Sequence, residues 1–422
     1  MKTIFLILTL FIFNLMSCQT TLGISDNANF LLDWTNFKPK TAEYKKPNEI
    51  LSGVIATDKK LFRNKTYLLS GIVYVTNKAK LSIESGTVIR GDFDSCGTLV
   101  ITKGASIFAE GEATSPIVFT SNKDVMERNP GDWGGIIILG DAPINRLGGL
   151  GLLSFDLDPM VSAYGGDNEG GSAGVMRFVR IEFPGRKLNA SKEFNGLSLA
   201  GVGNKTKIEN IQVSFSNDDS FESYGGNLVL NNLVSYRATD DDFDFTQGVQ
   251  CAITNCLAIR YPYSSDVSTS RCFEIDTYDK PESNDYTRKQ TTVTASNITL
   301  VNNEENTEGL VKEAIYLAEK CNFSLKQSVV SGFSKFILLN KKIEDVTNNL
   351  SKIILNDVIV NSCGAFVESE NVLFNSAVNS YFLNNQNTIK ISASQNKLFF
   401  VECTNKNDFD FRIKNFGAIS YK

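Results

Sequence analysis

The residues best suited to chemistry in this sequence are acids that return at a fixed interval. Asn217-Asp218-Asp219-Ser220-Phe221-Glu222 is followed by Thr239-Asp240-Asp241-Asp242-Phe243-Asp244. The same 22-residue step takes Asp218 to Asp240, Asp219 to Asp241 and Glu222 to Asp244. If the repeat is one of stacked strands, each pair lies about 4.8 Å apart. Like charges at that distance repel by roughly 1 kcal/mol even in water-like surroundings. Three compensations are open. A Ca²⁺ ion held by Asp218, Asp219, Glu222, Asp240, Asp241 and Asp244 would neutralise the stack, since Ca²⁺ takes carboxylate and carbonyl oxygens. Protonation would do so too, leaving a carboxyl poised as a general acid. Arginine is the third candidate, because Arg237 and Arg260 recur one step apart near the same corner. Glu274 and Asp276 are expected in the next layers. The reading without chemistry is a solvated corner, where Asp and Asn suit the turn.

Two reactions fit such a stack. A polysaccharide lyase needs a cation on the uronate and a base; Asp218, Asp219, Asp240 and Asp241 would hold the cation, and Arg237 or Arg260 would take the proton. A glycoside hydrolase needs two carboxyls about 5–5.5 Å or 6.5–9.5 Å apart. Other chemistries are excluded. The chain has no histidine, which removes Ser-His-Asp and Cys-His catalysis and His-ligated zinc. With 47 acids against 42 bases and a net charge of −5, nucleic acid and bare anionic membrane are not expected partners. Apart from Cys18 there are seven cysteines without CxxC spacing. Most read as small buried hydrophobes, with a Cys251–Cys272 bridge between neighbouring layers as the alternative.

The elements that must position the acids are short β-runs with Gly or Asn at the corners. Ile72-Val73-Tyr74-Val75, Leu81-Ser82-Ile83 and Leu99-Val100-Ile101 are too short for helices and rich in β-branched residues. Ile208-Glu209-Asn210-Ile211 recurs as Leu230-Asn231-Asn232-Leu233 after 22 residues and as Ile253-Thr254-Asn255-Cys256 after 23 more. The period and the absence of a leucine lattice point to an all-β, single-stranded right-handed parallel β-helix (a solenoid) with capped ends and loop excursions. Its length predicts on the order of fifteen coils, each stabilised by its neighbours. Recurrent Asn side chains are expected to ladder at a turn, and Phe221 and Phe243 to stack in the core.

The N-terminus carries Met1-Lys2, an apolar run from Ile4 to Met16, and then Leu15-Met16-Ser17-Cys18. The run is of signal-peptide length, and its end resembles the bacterial lipobox, in which the Cys is acylated. The expected organisation is a signal peptide over 1–17, a lipidated tether and N-terminal cap over 18–50 (the cap from residue 24), and the β-helix over 51–422. Several acyl chains together anchor a protein stably to a membrane.

Five motifs carry a more specific resemblance. They are Gly131-Asp132-Trp133-Gly134-Gly135 with the run to Gly140, Val179-Arg180-Ile181-Glu182-Phe183, Asn195-Gly196-Leu197-Ser198-Leu199, Asp218-Asp219-Ser220-Phe221-Glu222, and Asp240-Asp241-Asp242-Phe243-Asp244. Together with the closing Asp410-Phe411-Arg412-Ile413 and Gly417-Ala418-Ile419, they resemble a Bacteroidota family of β-helix surface lipoproteins of pectate-lyase-like shape. The resemblance implies fold and an outer-membrane lipoprotein, at the cell surface rather than the periplasmic face; it implies no activity. Surface-exposed lipoproteins of that group usually carry acids just after the lipid-bearing Cys, whereas here the first is Asp26.

Two long excursions complete the picture. Residues 141–175 contain Tyr164, and residues 261–292 contain Tyr261, Tyr263, Tyr278 and Tyr286. Loops on a rigid scaffold are where binding concentrates, and these tyrosines are candidate contacts to a sugar or a protein partner. The expected function is a membrane-anchored protein with a binding or structural role, through glycan or as an accessory to an outer-membrane complex such as a starch-utilisation-type importer. The alternative is a Ca²⁺-dependent polysaccharide lyase or glycoside hydrolase.

Overall fold

The computed structural model describes residues 22–24, 29–189, 192–266, 269–278, 280–303, 309–343, 349–385 and 389–414. The expected signal peptide, Cys18 and the Gly417-Ala418-Ile419 ending lie outside them. The strands pair in parallel and stack as a β-helix. Each coil gives one strand to each of three faces. In one coil, 207–209 lies on the first face, 211–214 on the second and 221–224 on the third.

The expected register holds. Ile208 pairs with Leu230 and Leu230 with Ile253, and Glu222 pairs with Asp244. Between the first and second faces the chain turns through one left-handed residue. Asn210, Asn232, Asn255 and Asn297 occupy it with φ between 53° and 57°, a conformation Asn tolerates better than most residues. Their amides ladder as expected: Asn232 Nδ2 donates to Asn210 Oδ1 at 3.3 Å and Asn255 Nδ2 to Asn232 Oδ1 at 2.7 Å. Inward residues form apolar columns, with the Phe221 and Phe243 rings stacked at 5.2 Å and 7°.

The stack is shorter than the period predicts. Among the described residues the first face holds strands at 59–61, 80–83, 106–110, 174–177, 207–209, 227–231, 250–254, 292–296, 322–326 and 353–356. That is ten strands. The second face, from 49–52 to 389–392, holds twelve, so the stack is ten to twelve coils rather than about fifteen, because excursions after residues 140, 260 and 276 absorb chain without adding rungs. The step from Asp244 to its neighbour Glu274 is therefore 30 residues.

The first strand, Glu49–Ile55, opens the helix by pairing with Thr66–Val75. The segment before it, expected to close this end, runs lengthwise along the second face instead. Gly23 N–H donates to the Gln327 carbonyl at 2.8 Å. Asn36 and Gln212 exchange hydrogen bonds of 2.7 and 3.0 Å. Met126 N–H donates to the Lys40 carbonyl, and Arg128 Nη1 to the Ala42 carbonyl at 2.8 Å. The described strap thus lies beside late coils at residues 22–24 and reaches the first coils by residue 42. The second face permits this because its late strands are apolar outward as well as inward, and its early charged residues find partners in the strap, Tyr44 donating to Glu182 and the Lys45 carbonyl accepting from Arg90. Tyr236, Leu257, Ile259, Val301, Val329 and Ile359 are covered by Leu22, Ile24, Leu31, Trp34 and Phe37 of this strap and by the C-terminal Phe399, Phe400, Phe409 and Phe411. Strands buried on both sides read as continuous apolar runs.

The far end is closed by the helix Asn375–Asn385. Val378 and Phe382 complete the core. Asn379 Oδ1 accepts from Val367 N–H at 3.3 Å and Asn375 Oδ1 from Ser369 N–H at 2.7 Å, so side chains satisfy amides of the last third-face strand, Ala365–Ser369. An exposed strand edge is otherwise a template for aggregation.

All seven cysteines of the helix are unbridged, Cys251 and Cys272 included. Both point into the apolar core, where burial raises their thiol pKa. The Trp133 motif is a packing device. Its indole stacks on Phe119 and donates to the Glu182 carbonyl at 2.8 Å. Gly134 faces Thr98 so closely that a Cβ would come within 2.0 Å of Oγ1.

Candidate functional site: an acidic face

The acids sit at the corner from the second to the third face and on the outward side of the third. The alternation of strand side chains places Phe221, Phe243 and Phe273 inward and Glu222, Asp244 and Glu274 outward in one column. The corner is tied from coil to coil. Ser220 N–H donates to the Asp241 carbonyl and Asp242 N–H to the Arg271 carbonyl. Asp241 N–H donates to Asp219 Oδ1 at 3.0 Å, and Arg271 N–H to Asp241 Oδ1 at 2.5 Å. Carboxylates therefore serve as acceptors for neighbouring coils, which holds them in place despite their mutual repulsion.

Two groups of carboxylate oxygens converge. Asp218, Asp219 and Asp240 bring one oxygen each within 4.8 Å of one another, and so do Asp219, Glu222 and Asp244. Asp219 belongs to both and is buried. Burial is the first cause that raises the Asp218, Asp219 and Asp244 carboxyls well above the ordinary carboxylate range, followed by the neighbouring acids. For Asp218 those neighbours are Asp240 and Glu222; for Asp244 they are Glu222 and Asp276. Asp241 is raised as well, by burial and Asp240, against a lowering pull from Arg271. Asn195 and Tyr224 both donate to Glu222 Oε2. Asp244 Oδ1 and Asn195 Oδ1 are shielded from water without a hydrogen-bond partner.

This donor set fits a hard divalent cation. All its atoms are carboxylate or amide oxygens, the ligand type Ca²⁺ prefers. Asp244 Oδ1 lacks the donor that buried acceptors normally find, and a cation at the second triad would satisfy it. Asp218, Asp219, Glu222, Asp240 and Asp244 would hold it. Asp241, expected among the ligands, is turned to the Arg271 amide and belongs to neither triad.

The arginines take other places. Arg260 is 1% exposed and ion-pairs with Asp242 at 3.5 Å, with both side chains sealed from solvent. It cannot reach a bound sugar. Arg237, in register with it, has φ 58°, and its guanidinium lies over the Tyr236 and Tyr261 rings at 5.7 and 4.6 Å. Sequence reasoning missed Asp242 and Arg271. Arg271 bonds Glu274 at 2.5 Å and Glu313 at 3.3 Å, and lies over the Tyr316 ring at 4.5 Å. The available signal for Asp242 was its register with buried Ser220, one coil before; nothing local marked Arg271.

Excursions wall the acidic face. At one end Tyr164 and Phe155 pack on Tyr224. Tyr164 is fully buried and donates to Gln247 at 2.7 Å, so it is a packing residue and not a ligand contact. On the corner side, Tyr261 and Tyr263 touch edge to face, and Tyr263 is 51% exposed. Beyond the acids lies a cleft of about 200 Å³, lined by Glu274, Asp276, Tyr278, Tyr316, Glu319 and Lys342. Tyr278 donates to Glu319 there, and its ring meets Tyr286 at 6.0 Å.

Parallel coils on three faces, with acids ladder-stacked outside and aromatics inside, define the class: a β-helix protein with an electronegative flank. The chain belongs to the pectate-lyase like beta helix domain family, whose model matches residues 53–400. The match begins within the first strand and ends at the C-terminal hairpin. No curated protein and no solved structure matches the chain.

Proposed function

We propose that this chain is a membrane-anchored β-helix protein of the outer membrane that binds glycan on its acidic third face. A calcium-type cation held by Asp218, Asp219, Glu222, Asp240 and Asp244 forms part of that site. The observation that carries the reading is the convergence of four half-buried carboxylates on the buried Asp219 in two groups, with the shielded Asp244 Oδ1 left unsatisfied. A bound cation with an open coordination position takes sugar hydroxyls or a uronate, and the tyrosines of the adjacent cleft supply ring faces for pyranose stacking. The anchor rests on the lipobox-like Leu15-Met16-Ser17-Cys18. Its partner would be an outer-membrane importer of the starch-utilisation type.

A binding role is favoured over catalysis by distance and placement. Within each triad one oxygen per carboxylate lies within 4.8 Å of the others, a convergence on a shared point as cation ligands require rather than the separated pair of a hydrolase. Of the two bases expected for a lyase, Arg260 is sealed from substrate and the Arg237 guanidinium is held over the Tyr236 and Tyr261 rings. Hydrolysis is the second reading, favoured by the raised pKa of Asp219 and Asp244 beside Glu222, the state of a general acid.

The test is calorimetric titration of neutral and uronic-acid oligosaccharides into the protein, with Ca²⁺ and with chelator, alongside a reducing-end and unsaturated-product assay. We expect Ca²⁺-dependent binding that Asp244→Asn and Tyr278→Ala weaken, with no product. Product formation that depends on Asp219 or Glu222 would replace binding with hydrolysis. No binding in either condition would overturn the reading.

A further inference from the structure

The backward course of the N-terminal strap decides which side of the molecule a lipid at Cys18 would hold to a bilayer. Leu22 and Ile24 are buried on the second face. Gly23 is pinned at both ends of its peptide, donating to Gln327 at 2.8 Å and accepting from Asn297 Nδ2 at 3.1 Å. Cys18 precedes Leu22 by four residues, at most about 14 Å of extended chain. A lipid at Cys18 would therefore be tied within that reach of Leu22, which packs on the late coils, far along the stack from the first strand.

The C-terminal segment 389–414 lies at the same place. Phe399, Phe400 and Phe411 share an apolar layer with Leu22 and Ile24, and Asn303 Nδ2 donates to the Cys403 carbonyl at 2.8 Å. The outer side of this segment is apolar and basic. Leu398 is 66% exposed, Val401 41% and Ile391 42%. Lys390, Lys397, Lys406, Arg412 and Lys414 stand against Glu402, Asp408 and Asp410, a local charge of +2 in a chain of −5. Exposed apolar side chains in a segment rich in lysine are the composition of surfaces that lie in a membrane interface.

We infer that the flank formed by Leu398, Val401, Ile391 and the lysines of this segment is a docking surface for an anionic lipid bilayer. It lays the β-helix on its second-face side and leaves the acidic third face open to the surroundings. The inference rests on the anchored reading for the orientation, while the chemistry of the patch is independent of it. The net charge of the whole chain, which argues against anionic membranes, conceals this local reversal.

The experiment uses the full-length mature chain with Cys18→Ser, which cannot be acylated, and vesicles of phosphatidylethanolamine with phosphatidylglycerol or of phosphatidylcholine alone. We expect co-sedimentation with the anionic vesicles that salt weakens, about tenfold weaker binding for Leu398→Glu/Val401→Glu and for Lys397→Glu/Lys414→Glu, and unchanged binding for Ile50→Glu/Val54→Glu at the opposite end. Circular dichroism checks that each variant is folded. Absence of binding to anionic vesicles, or equal binding by all variants, would overturn the inference. Mass spectrometry of the Cys18 peptide from native membranes tests the anchor separately. An unacylated Cys18 with patch-dependent vesicle binding refutes the anchor alone; an acylated Cys18 with patch-independent binding refutes the docking surface alone.

Discussion

Asp219 is shared by both carboxylate triads, so Asp219→Asn tests whether their repulsion is real in the folded protein. The substitution keeps an oxygen to accept from Asp241 N–H, so the coil-to-coil hydrogen bond survives. What it removes is charge. Two unit charges 4.8 Å apart repel by about 1 kcal/mol at a dielectric of 80 and about 3.5 kcal/mol at 20. Because burial raises the Asp219 carboxyl, part of the repulsion is relieved by protonation, and a gain of about 1–3 kcal/mol at pH 8 is the reasonable scale. For a chain of 422 residues, an unfolding entropy of about 2.1 cal/mol/K per residue converts this to a rise of roughly 1–3 °C in Tm. Ca²⁺ at a hundred times its Kd would stabilise the wild type by about 2.7 kcal/mol, a shift of similar size that the variant should lose. The assay is scanning calorimetry at pH 8 in chelator and in Ca²⁺. The reasoning is refuted if Asp219→Asn melts below the wild type in chelator and still gains the full Ca²⁺ shift.

Three further outcomes follow from the same structure. In chelator the wild type should lose stability as pH rises from about 5 to 8, because carboxyls with raised folded pKa bind protons more tightly in the native state than in the unfolded one; Ca²⁺ should flatten that slope in thermal melts. Removing one partner of the sealed Arg260–Asp242 pair should cost about 3–5 kcal/mol, so Arg260→Met should lower the denaturant midpoint strongly and Arg260→Met/Asp242→Asn should recover part of it. Phe382→Ala should cost about 3–5 kcal/mol locally and uncover the last coil, read as accelerated hydrogen exchange over 365–369 and as aggregation in light scattering.

The coil register was legible because its carriers are local: an apolar inward residue, an Asn at the left-handed corner, and an acid two or more positions on. Those spacings place Glu222 on Asp244 without any knowledge of the third dimension. The outer layer was not legible. The strap packs residues 22–24 and 29–42 against partners as distant as Gln327 and Phe409, and although Leu22, Ile24, Leu31, Trp34 and Phe37 mark it as apolar on one side, nothing in its irregular sequence states a direction of travel. The cap helix was hidden by composition, since Asn375–Asn385 is rich in Asn and Ser, which are poor helix formers. Arg237 and Arg260 show how register alone misleads. They occupy equivalent positions, but a left-handed backbone at Arg237 sends one to a tyrosine pair, while the other is drawn inward to Asp242.

The location of the acidic site is explained by what happens to the outward column of the third face. In the early coils that column runs through Val100 and Ile137 to the small, buried Ser198, and it is covered by Ile144, Leu153, Phe155 and Leu157 of the first excursion. At Glu222 it turns acidic and continues through Asp244 to Glu274. Tyr224 stands at the junction, with its ring packed on Phe155 and Tyr164 and its hydroxyl donating to Glu222. The cover therefore stops where it would have to bury carboxylates without partners, a cost that rises steeply as water is excluded. On the second face the strap meets charged residues in the early coils with partners of its own, Tyr44 donating to Glu182 at 3.0 Å and the Lys45 carbonyl accepting from Arg90 at 3.3 Å, and over the late coils strap and hairpin cover apolar positions. Sealing of one flank and exposure of the other thus have a single origin in which outward positions are apolar or find partners in the cover. That pattern leaves the acids of the third face as the charged surface bounded by rigid aromatic walls, the setting in which a cation and a glycan can be held together.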